Sequence, residues 1–513
     1  MGVLLALGAA FATAAGAATA APHPAGAAPG ARVVVTYASE AALRDALALE
    51  PARVVRRLPA LRAVEVVPAA PAEAFARAVR SVPGIVSAER PRLRRRAAEP
   101  ALLAAPGSRA PYQWQHAATG HDRVPAWALR AAASVTIAVV DTGADLAAPD
   151  LAAKAPAARD VRTGSADVAD AHGHGTFVAS LAAGSVANGE GIAGAGGDAR
   201  LLIVKAGASR ATLSDVDGAA GIVHAVDAGA RILNLSFGGP GSSAVERRAV
   251  EYAVARGALL VAAVGNDHER GNAPHYPAAL LQPVGSKGVG GAGLAVAAST
   301  AAGGRAWFST TGSHVSLAAP GEEVFAAVSS LSSPRLFPRV PLPGSSAGLY
   351  GYGSGTSYAA PQVAGAAALV WGANPQLAAA EVATILKETA RGGRWTPSLG
   401  WGVVDAAAAV ARAAGEPAPA AARLTLSRAG RGGRVVTLRA RLGGAAALAE
   451  RTIRLDRLEA GTWREAAAGT TAADGTVTWR FSLAPGTHRL RARFAGADDL
   501  PPATSAPVAV RTR

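Results

Sequence analysis

Three short motifs carry, in chain order, an acid, a base and a nucleophile. They are Ile137-Ala138-Val139-Val140-Asp141-Thr142-Gly143, His172-Gly173-His174-Gly175-Thr176 and Gly353-Ser354-Gly355-Thr356-Ser357-Tyr358-Ala359-Ala360-Pro361. A serine hydroxyl is a weak nucleophile at neutral pH, so it needs a base within hydrogen-bond reach and a third group that holds the base's tautomer. Asp141, His174 and Ser357 supply that set, and nucleophilic acyl transfer is the chemistry it performs. The alternative base is His172, two residues before His174. Each residue also has a purely structural reading: a helix cap for Ser357 and a turn or cap for Asp141, as for Asp145 and Asp150.

The elements around these residues would place them well. Ser357 precedes an Ala-rich helical stretch running through Val363 to Trp371. Its hydroxyl then sits at a helix N-terminus, where backbone N–H groups without helical partners favour a developing oxyanion. Asp141 ends a β-branched strand, and Asn266 follows another at Leu259 to Val264. Short apolar strands (Val135 to Val140, Leu201 to Lys205, Arg231 to Ser236, Leu259 to Val264, Leu294 to Ala298) alternate with helical stretches. That pattern predicts an α/β domain with a doubly wound, mostly parallel sheet. Ligands of such sheets gather beyond the strands' C-terminal ends, where Asp141 and Asn266 fall.

Two further blocks flank this region. Strand-like runs at 32–37, 54–67 and 84–88, with helical patterns at 41–49 and 71–79, follow the strand-helix-strand-strand-helix-strand plan of a ferredoxin-like α+β domain. Beyond Gly415-Glu416-Pro417-Ala418-Pro419, read as a linker, the apolar period changes to two: Val436, Leu438, Ala440, Leu442; Val477, Trp479, Phe481; His488, Leu490, Ala492, Phe494. With turn signals at Ala473-Asp474-Gly475 and Pro485-Gly486 between them, these runs predict an antiparallel β-sandwich.

Composition bounds the function classes. The 513 residues are 50% apolar, enough for several domains with large cores, and contain no cysteine, which excludes disulfides and thiolate metal sites. The formal charge of +15 could suggest nucleic acid. However, the only lysines are Lys154, Lys205, Lys287 and Lys387, and arginine is scattered among Ala, Gly and Pro. No nucleic-acid partner is expected. The densest run, Arg90-Pro91-Arg92-Leu93-Arg94-Arg95-Arg96, is expected to be an exposed, cleavable junction. Val3 to Pro22 is apolar and uncharged with Ala-x-Ala-like ends, and reads as the apolar part of a secretory signal without a basic start. No His-Glu-x-x-His zinc pattern is present.

The order Asp, His, Ser, the run Asp170 to Thr176 fitting Asp-x-x-Gly-His-Gly-Thr, and the motif around Ser357 together resemble subtilisin-type serine peptidases over roughly residues 30 to 413. The resemblance implies a secreted endopeptidase acting on polypeptides through a Ser357 acyl-enzyme, made as a self-processing zymogen and expected to be a monomer. It implies a signal at 1–22, an inhibitor-type propeptide at 30–97, a peptidase domain at 108–413, a linker at 414–421 and an immunoglobulin-like domain at 422–513. The propeptide would inhibit intramolecularly, and the mature start would lie between Arg96 and Pro111. The last domain is a candidate for cell-wall or polysaccharide contact.

The same resemblance makes His174 the base, since His172 falls at a variable position of the pattern, and makes Asn266 an oxyanion donor. It places substrate along Ser236, Phe237 and Gly238, with Phe237 and Ala262-Ala263 giving an apolar pocket. Asp150 and Gln113 resemble ligands of the family's calcium site, with the loop Asn188-Gly189-Glu190-Gly191 adding carbonyl oxygens, so calcium is the candidate ion; no organic cofactor is expected. Phe177 and Tyr358 depart from residues common in relatives. An α/β-hydrolase esterase is the competing enzyme class, but Gly355-Thr356-Ser357-Tyr358-Ala359 misses Gly-x-Ser-x-Gly and the triad order differs. A non-catalytic adhesion protein is the third reading.

Overall fold

A computed structural model describes residues 31–95, 112–207, 212–342, 349–415, 423–429, 435–443, 448–459, 462–495 and 503–512. The signal segment, the linker beyond Gly415, the run after Phe494-Ala495 and the expected mature start lie outside the described residues.

The central layer is a seven-stranded parallel sheet in the order Leu317–Pro320, Gly293–Ser299, Leu259–Ala263, Ile232–Leu235, Thr136–Asp141, Arg200–Lys205, Ala157–Asp160. Strand residues alternate between two apolar layers, as the two-residue period of a strand requires. Ile137, Val139, Leu201 and Ile203 join the layer containing the helices His174–Ala183 and Thr356–Ala373. Ala138, Val140, Leu202 and Val204 join the layer containing the helices Asp215–Asp227 and Ala244–Ala255. Each of the latter two helices starts at a serine cap: Ser214 accepts from Asp217 N, and Ser243 from Glu246 N.

The N-terminal block has the expected order of elements, and its antiparallel sheet runs Ala52–Leu58, Ala63–Pro68, Val33–Tyr37, Ile85–Glu89. One face packs on its own helices through Val33, Val35, Leu43, Val64 and Phe75. The other face joins the second layer of the large domain through Val34, Leu58, Leu61 and Ala63. Polar contacts fix that docking. Arg56, only 2% exposed, donates to Asp217 Oδ1 at 2.8 Å and to Val161 O at 2.7 Å. Arg248 donates to Leu61 O at 2.7 Å.

The arginine run keeps Arg90, Arg92 and Arg95 exposed, as its charge predicts, but one of its members is not solvated. Leu93–Arg95 forms a strand antiparallel to Thr212–Ser214, and Arg94 is fully buried. A buried charge is tolerated when it is paired and hydrogen-bonded, and Arg94 meets Glu246 through two bonds.

The C-terminal region has two antiparallel sheets. One holds Arg423–Arg428, Val435–Gly443 and Thr476–Ser482. The other holds Thr462–Thr470, Thr452–Glu459 and Gly486–Phe494, with Ala503–Thr504 and Val508–Thr512 both beside the last strand. Val436, Leu438, Ala440, Leu442, Leu490 and Ala492 share its core. No helix among the described residues is long and apolar enough to cross a membrane.

Candidate active site

Asp141 closes its strand with a buried carboxylate whose Oδ1 lies 2.7 Å from His174 Nδ1 and accepts from Thr142 N at 2.7 Å. A carboxylate oxygen can only accept, so the ring proton sits on Nδ1 and Nε2 is left basic. His174 is the first residue of the helix His174–Ala183. His172 instead accepts from His174 N through Nδ1 at 3.3 Å, and its ring centre is 6.3 Å from that of His174. The residue that meets Asp141 is therefore His174.

Close backbone approach brings the two elements together. A Cβ on Gly175 would stand 2.1 Å from Gly143 O, and one on Gly143, at φ +113°, would stand 2.1 Å from Val168 O. Asp170 ties the same two elements. Its Oδ1 accepts from Thr142 Oγ1 and Gly173 N, both at 2.8 Å, and its Oδ2 from Thr176 N at 2.9 Å and Thr176 Oγ1 at 2.7 Å.

Ser357 lies in the first turn of the helix Thr356–Ala373, buried, and its Oγ donates to Ser236 O at 3.1 Å. The helix carries Pro361 in its second turn. Pro361 lacks the N–H that would reach the carbonyl four residues earlier, which is Ser357 O. Ser236 Oγ donates to Ser357 O at 2.8 Å instead, and is itself held by Asn234 Nδ2 at 2.9 Å. Tyr358 stacks toward Phe177 at 4.3 Å and toward the His174 ring at 5.8 Å, so the two departures from common residues pack against each other.

Asn266 follows the strand Leu259–Ala263. Its Oδ1 accepts from Thr356 N at 2.9 Å and Thr356 Oγ1 at 2.8 Å, which sets the acceptor end of the amide on the residue before Ser357. Asp141 with His174, and Asn266 with Thr356 beside Ser357, thus lie at the C-terminal edge of the parallel sheet, where its topology predicts a site.

The expected substrate strand is already paired. Arg95 N donates to Gly238 O at 2.9 Å, and Gly238 N to Arg95 O at 2.8 Å. Leu93–Arg95 therefore lies between Thr212–Ser214 and Gly238 as a middle strand. Phe237 is buried in the same layer as Leu213 and Val216. The alanine pair divides: Ala262 is fully buried in that layer, and Ala263 belongs to the opposite one. Neighbours in a strand point to opposite faces, so the two alanines do not form one wall of a pocket.

Gln113 and Asp150 both reach the loop at 188–193, but as hydrogen-bond partners. Gln113 Oε1 accepts from Ala193 N at 3.1 Å. Asp150 is fully buried; its Oδ1 accepts from Asn188 Nδ2 at 3.1 Å and Ile192 N at 3.0 Å, and its Oδ2 from Tyr350 Oη at 3.0 Å. Three hydrogen-bond donors, one amide, one backbone N–H and one hydroxyl, satisfy the carboxylate, an arrangement that does not fit a calcium ion. Burial raises the Asp150 pKa above the usual carboxylate value. Among the described residues there is no group of three or more His, Cys, Asp or Glu that could hold a metal.

Sequence reasoning missed Asp170 as an organiser, and Thr142, Thr176 and Thr356 as its counterparts in fixing the site. The motif contains Asp170 and Thr176 but does not carry their geometry. The proline four residues after Ser357 was the signal for the Ser236 contact.

The subtilase family matches residues 132–402, more than half of the chain. The thermophilic serine proteinase of Bacillus sp. (strain AK1) is 36% identical over 236 residues, covering 46% of this chain and 51% of that protein. The chain thus spans about half the length of that relative. Thermitase from Thermoactinomyces vulgaris is 33% identical over 246 residues, covering 48% of this chain and 77% of thermitase. The crystal structure of fervidolysin from Fervidobacterium pennivorans, a keratinolytic enzyme related to subtilisin, superposes with a TM-score of 0.61 at 23% identity, covering 90% of this chain and 70% of that one. That likeness is one of fold.

Proposed function

Since the chain belongs to the subtilase family, we propose that it is a secreted serine endopeptidase, made as a zymogen, that cleaves peptide bonds through Asp141, His174 and Ser357. The observation that carries the assignment is the 2.7 Å contact of His174 with Asp141 at a sheet edge shared with Ser357 and Asn266. In the first half-reaction Ser357 Oγ attacks the scissile carbonyl carbon while His174 Nε2 takes its proton. The negative charge moves to the carbonyl oxygen, where the Asn266 amide and the N–H groups at the helix start lower its energy. Collapse expels the amine, which leaves with the proton from His174, and Ser357 keeps the acyl group. Water then attacks the ester, His174 takes and returns one proton, and the carboxylic acid is released. Asp141 holds the imidazole and balances its charge in both halves.

Residues 31–95 act as the zymogen's inhibitor in this reading. Support comes from Leu93–Arg95 filling the track beside Gly238 and from the buried Arg56–Asp217 pair. The C-terminal sandwich is read as an immunoglobulin-like accessory domain and remains a candidate for cell-wall or polysaccharide contact. Calcium has no part in the proposed mechanism, because donors surround Asp150.

The test is hydrolysis of denatured casein by the purified mature protein, with and without a serine-directed phosphonate. Casein clearing that is abolished together with labelling of Ser357 supports the reading. Full activity after complete labelling of Ser357 overturns it.

A further inference from the structure

The catalytic geometry leaves one buried ionic cluster unused. Arg94 has a side-chain exposure of 0%, and Glu246, in the first turn of the helix Ala244–Ala255, 3%. Arg94 Nε and Nη2 donate to the two Glu246 carboxylate oxygens at 2.8 and 2.7 Å. Nη2 also donates to Gly241 O at 2.9 Å, and Nη1 to Pro240 O at 3.4 Å. Carboxylate and carbonyl oxygens thus surround a planar guanidinium, which offers its donors in a matching fork. A second buried acid, Asp215, acts on Glu246 by charge repulsion, and its Oδ1 accepts from Arg92 N at 3.0 Å. Burial pushes the Glu246 carboxyl up to about 7 and that of Asp215 up to about 6. Two acids held this way in an apolar layer favour a cation close by.

Strand register says where that cation sits relative to the nucleophile. Arg94 pairs with Leu213, and Arg95 with both Thr212 and Gly238. Antiparallel partners advance in opposite directions, so a peptide in this track faces Ser236 two residues after the one that pairs with Gly238. Ser236 O is the carbonyl that accepts the Ser357 hydroxyl. The residue facing Ser236 therefore presents its carbonyl to Ser357, and the Arg94 position lies three residues before it.

We propose that Glu246, with Asp215 and the carbonyls of Pro240 and Gly241, is a specificity pocket that selects substrates carrying arginine three residues before the residue whose carbonyl Ser357 attacks. Arg94 occupies this pocket in the zymogen as a substrate side chain would. The inference rests on the peptidase reading and adds a substrate class to it. It also differs from the apolar preference that Phe237 suggests.

The test uses the mature full-length enzyme and internally quenched peptides in which one arginine is moved stepwise through an otherwise uncharged sequence. Cut bonds are read by mass spectrometry, with an arginine-free peptide as control. The expected result is a cut that moves with the arginine, always after the third residue following it. The kcat/KM advantage over the control should be about tenfold or more. In Glu246→Leu the advantage should collapse. If that variant does not fold, the wild-type series decides alone. A cut that stays fixed, or equal kcat/KM without arginine, overturns the pocket while leaving the peptidase reading intact. Failure to cut any peptide or casein overturns both.

Discussion

Ser236 and Ser357 hydrogen-bond to each other in both directions: the Ser357 hydroxyl donates to Ser236 O at 3.1 Å, and the Ser236 hydroxyl donates to Ser357 O at 2.8 Å. The second bond exists because Pro361 cannot supply the helical donor for that carbonyl. One residue thereby fixes the nucleophile's backbone and side chain and also lies on the substrate strand.

Ser236→Ala should leave Ser357 O without a donor. The expected cost is about 1–3 kcal/mol in stability, with kcat falling more than KM changes. Pro361→Ala restores a helical N–H four residues after Ser357, so the double variant should recover part of the loss. A denaturant double-mutant cycle reads this directly, with an expected coupling of at least about 0.5 kcal/mol. Strict additivity would show that the two groups do not share Ser357 O.

Asp141→Asn replaces an acceptor with an amide that can turn its N–H toward His174 and favour the wrong tautomer. Turnover should drop about 10⁴-fold with folding retained, as for the same change in a chymotrypsin-like triad. Asn266→Leu should lower kcat by about 10²–10³-fold, the size found for the asparagine donor of subtilisin, with KM little changed. Steady-state kinetics on one chromogenic peptide measures both. A loss in KM alone for Asn266→Leu would place its role in ground-state binding.

Much of this architecture was legible in the residues. Alternating apolar runs such as Val436 to Leu442 carry their sheet face in a two-residue period, and the strand ending at Asp141 carries its edge position in its β-branched content. Polar organisation was less accessible, because it depends on contacts between distant segments. Asp170 reads as a motif letter until Thr142, Gly173 and Thr176 are seen to share its oxygens. Within the arginine run, Arg94 alone departs from expectation for the same reason: local composition marks it as solvated, while Glu246, far along the chain, makes its burial possible. Asp150 misled in the opposite way. A carboxylate in a ligand-like position turned out to be surrounded by donors from Asn188, Ile192 and Tyr350.

Arg56 offers a handle on the zymogen that does not touch the catalytic residues. Removing one member of a buried ion pair leaves an uncompensated charge and typically costs about 3–5 kcal/mol. Arg56→Ala should therefore weaken docking of residues 31–95 onto Asp217. The lag before activity appears, after processing, should shorten at least about tenfold relative to wild type. Progress curves on a chromogenic peptide, together with gel-filtration analysis of the processed mixture, report the release. An unchanged lag would mean that the Arg56–Asp217 pair does not hold the inhibitor.

The acidic pocket should make substrate preference depend on pH. Burial is the main cause that pushes Glu246 up to about 7; the Asp215 charge adds to it, and Arg94 opposes it. Asp215 in turn is pushed up to about 6 by burial, with Ser243, Arg94 and Arg92 working against the rise and Glu89 adding to it. A carboxyl attracts a guanidinium only when ionised, so the attraction is present above the raised pKa and is lost as pH falls through it. Any ionisation that changes the rate for every substrate alike cancels in a ratio of two peptides. The kcat/KM ratio of an arginine peptide to its leucine counterpart should therefore rise with pH as the pocket carboxyls ionise. Glu246→Gln should remove the part of that rise due to Glu246, since an amide does not titrate in this range, and leave only the smaller part due to Asp215. A wild-type ratio that stays constant across the range would mean that ionised Glu246 does not contribute to arginine selection.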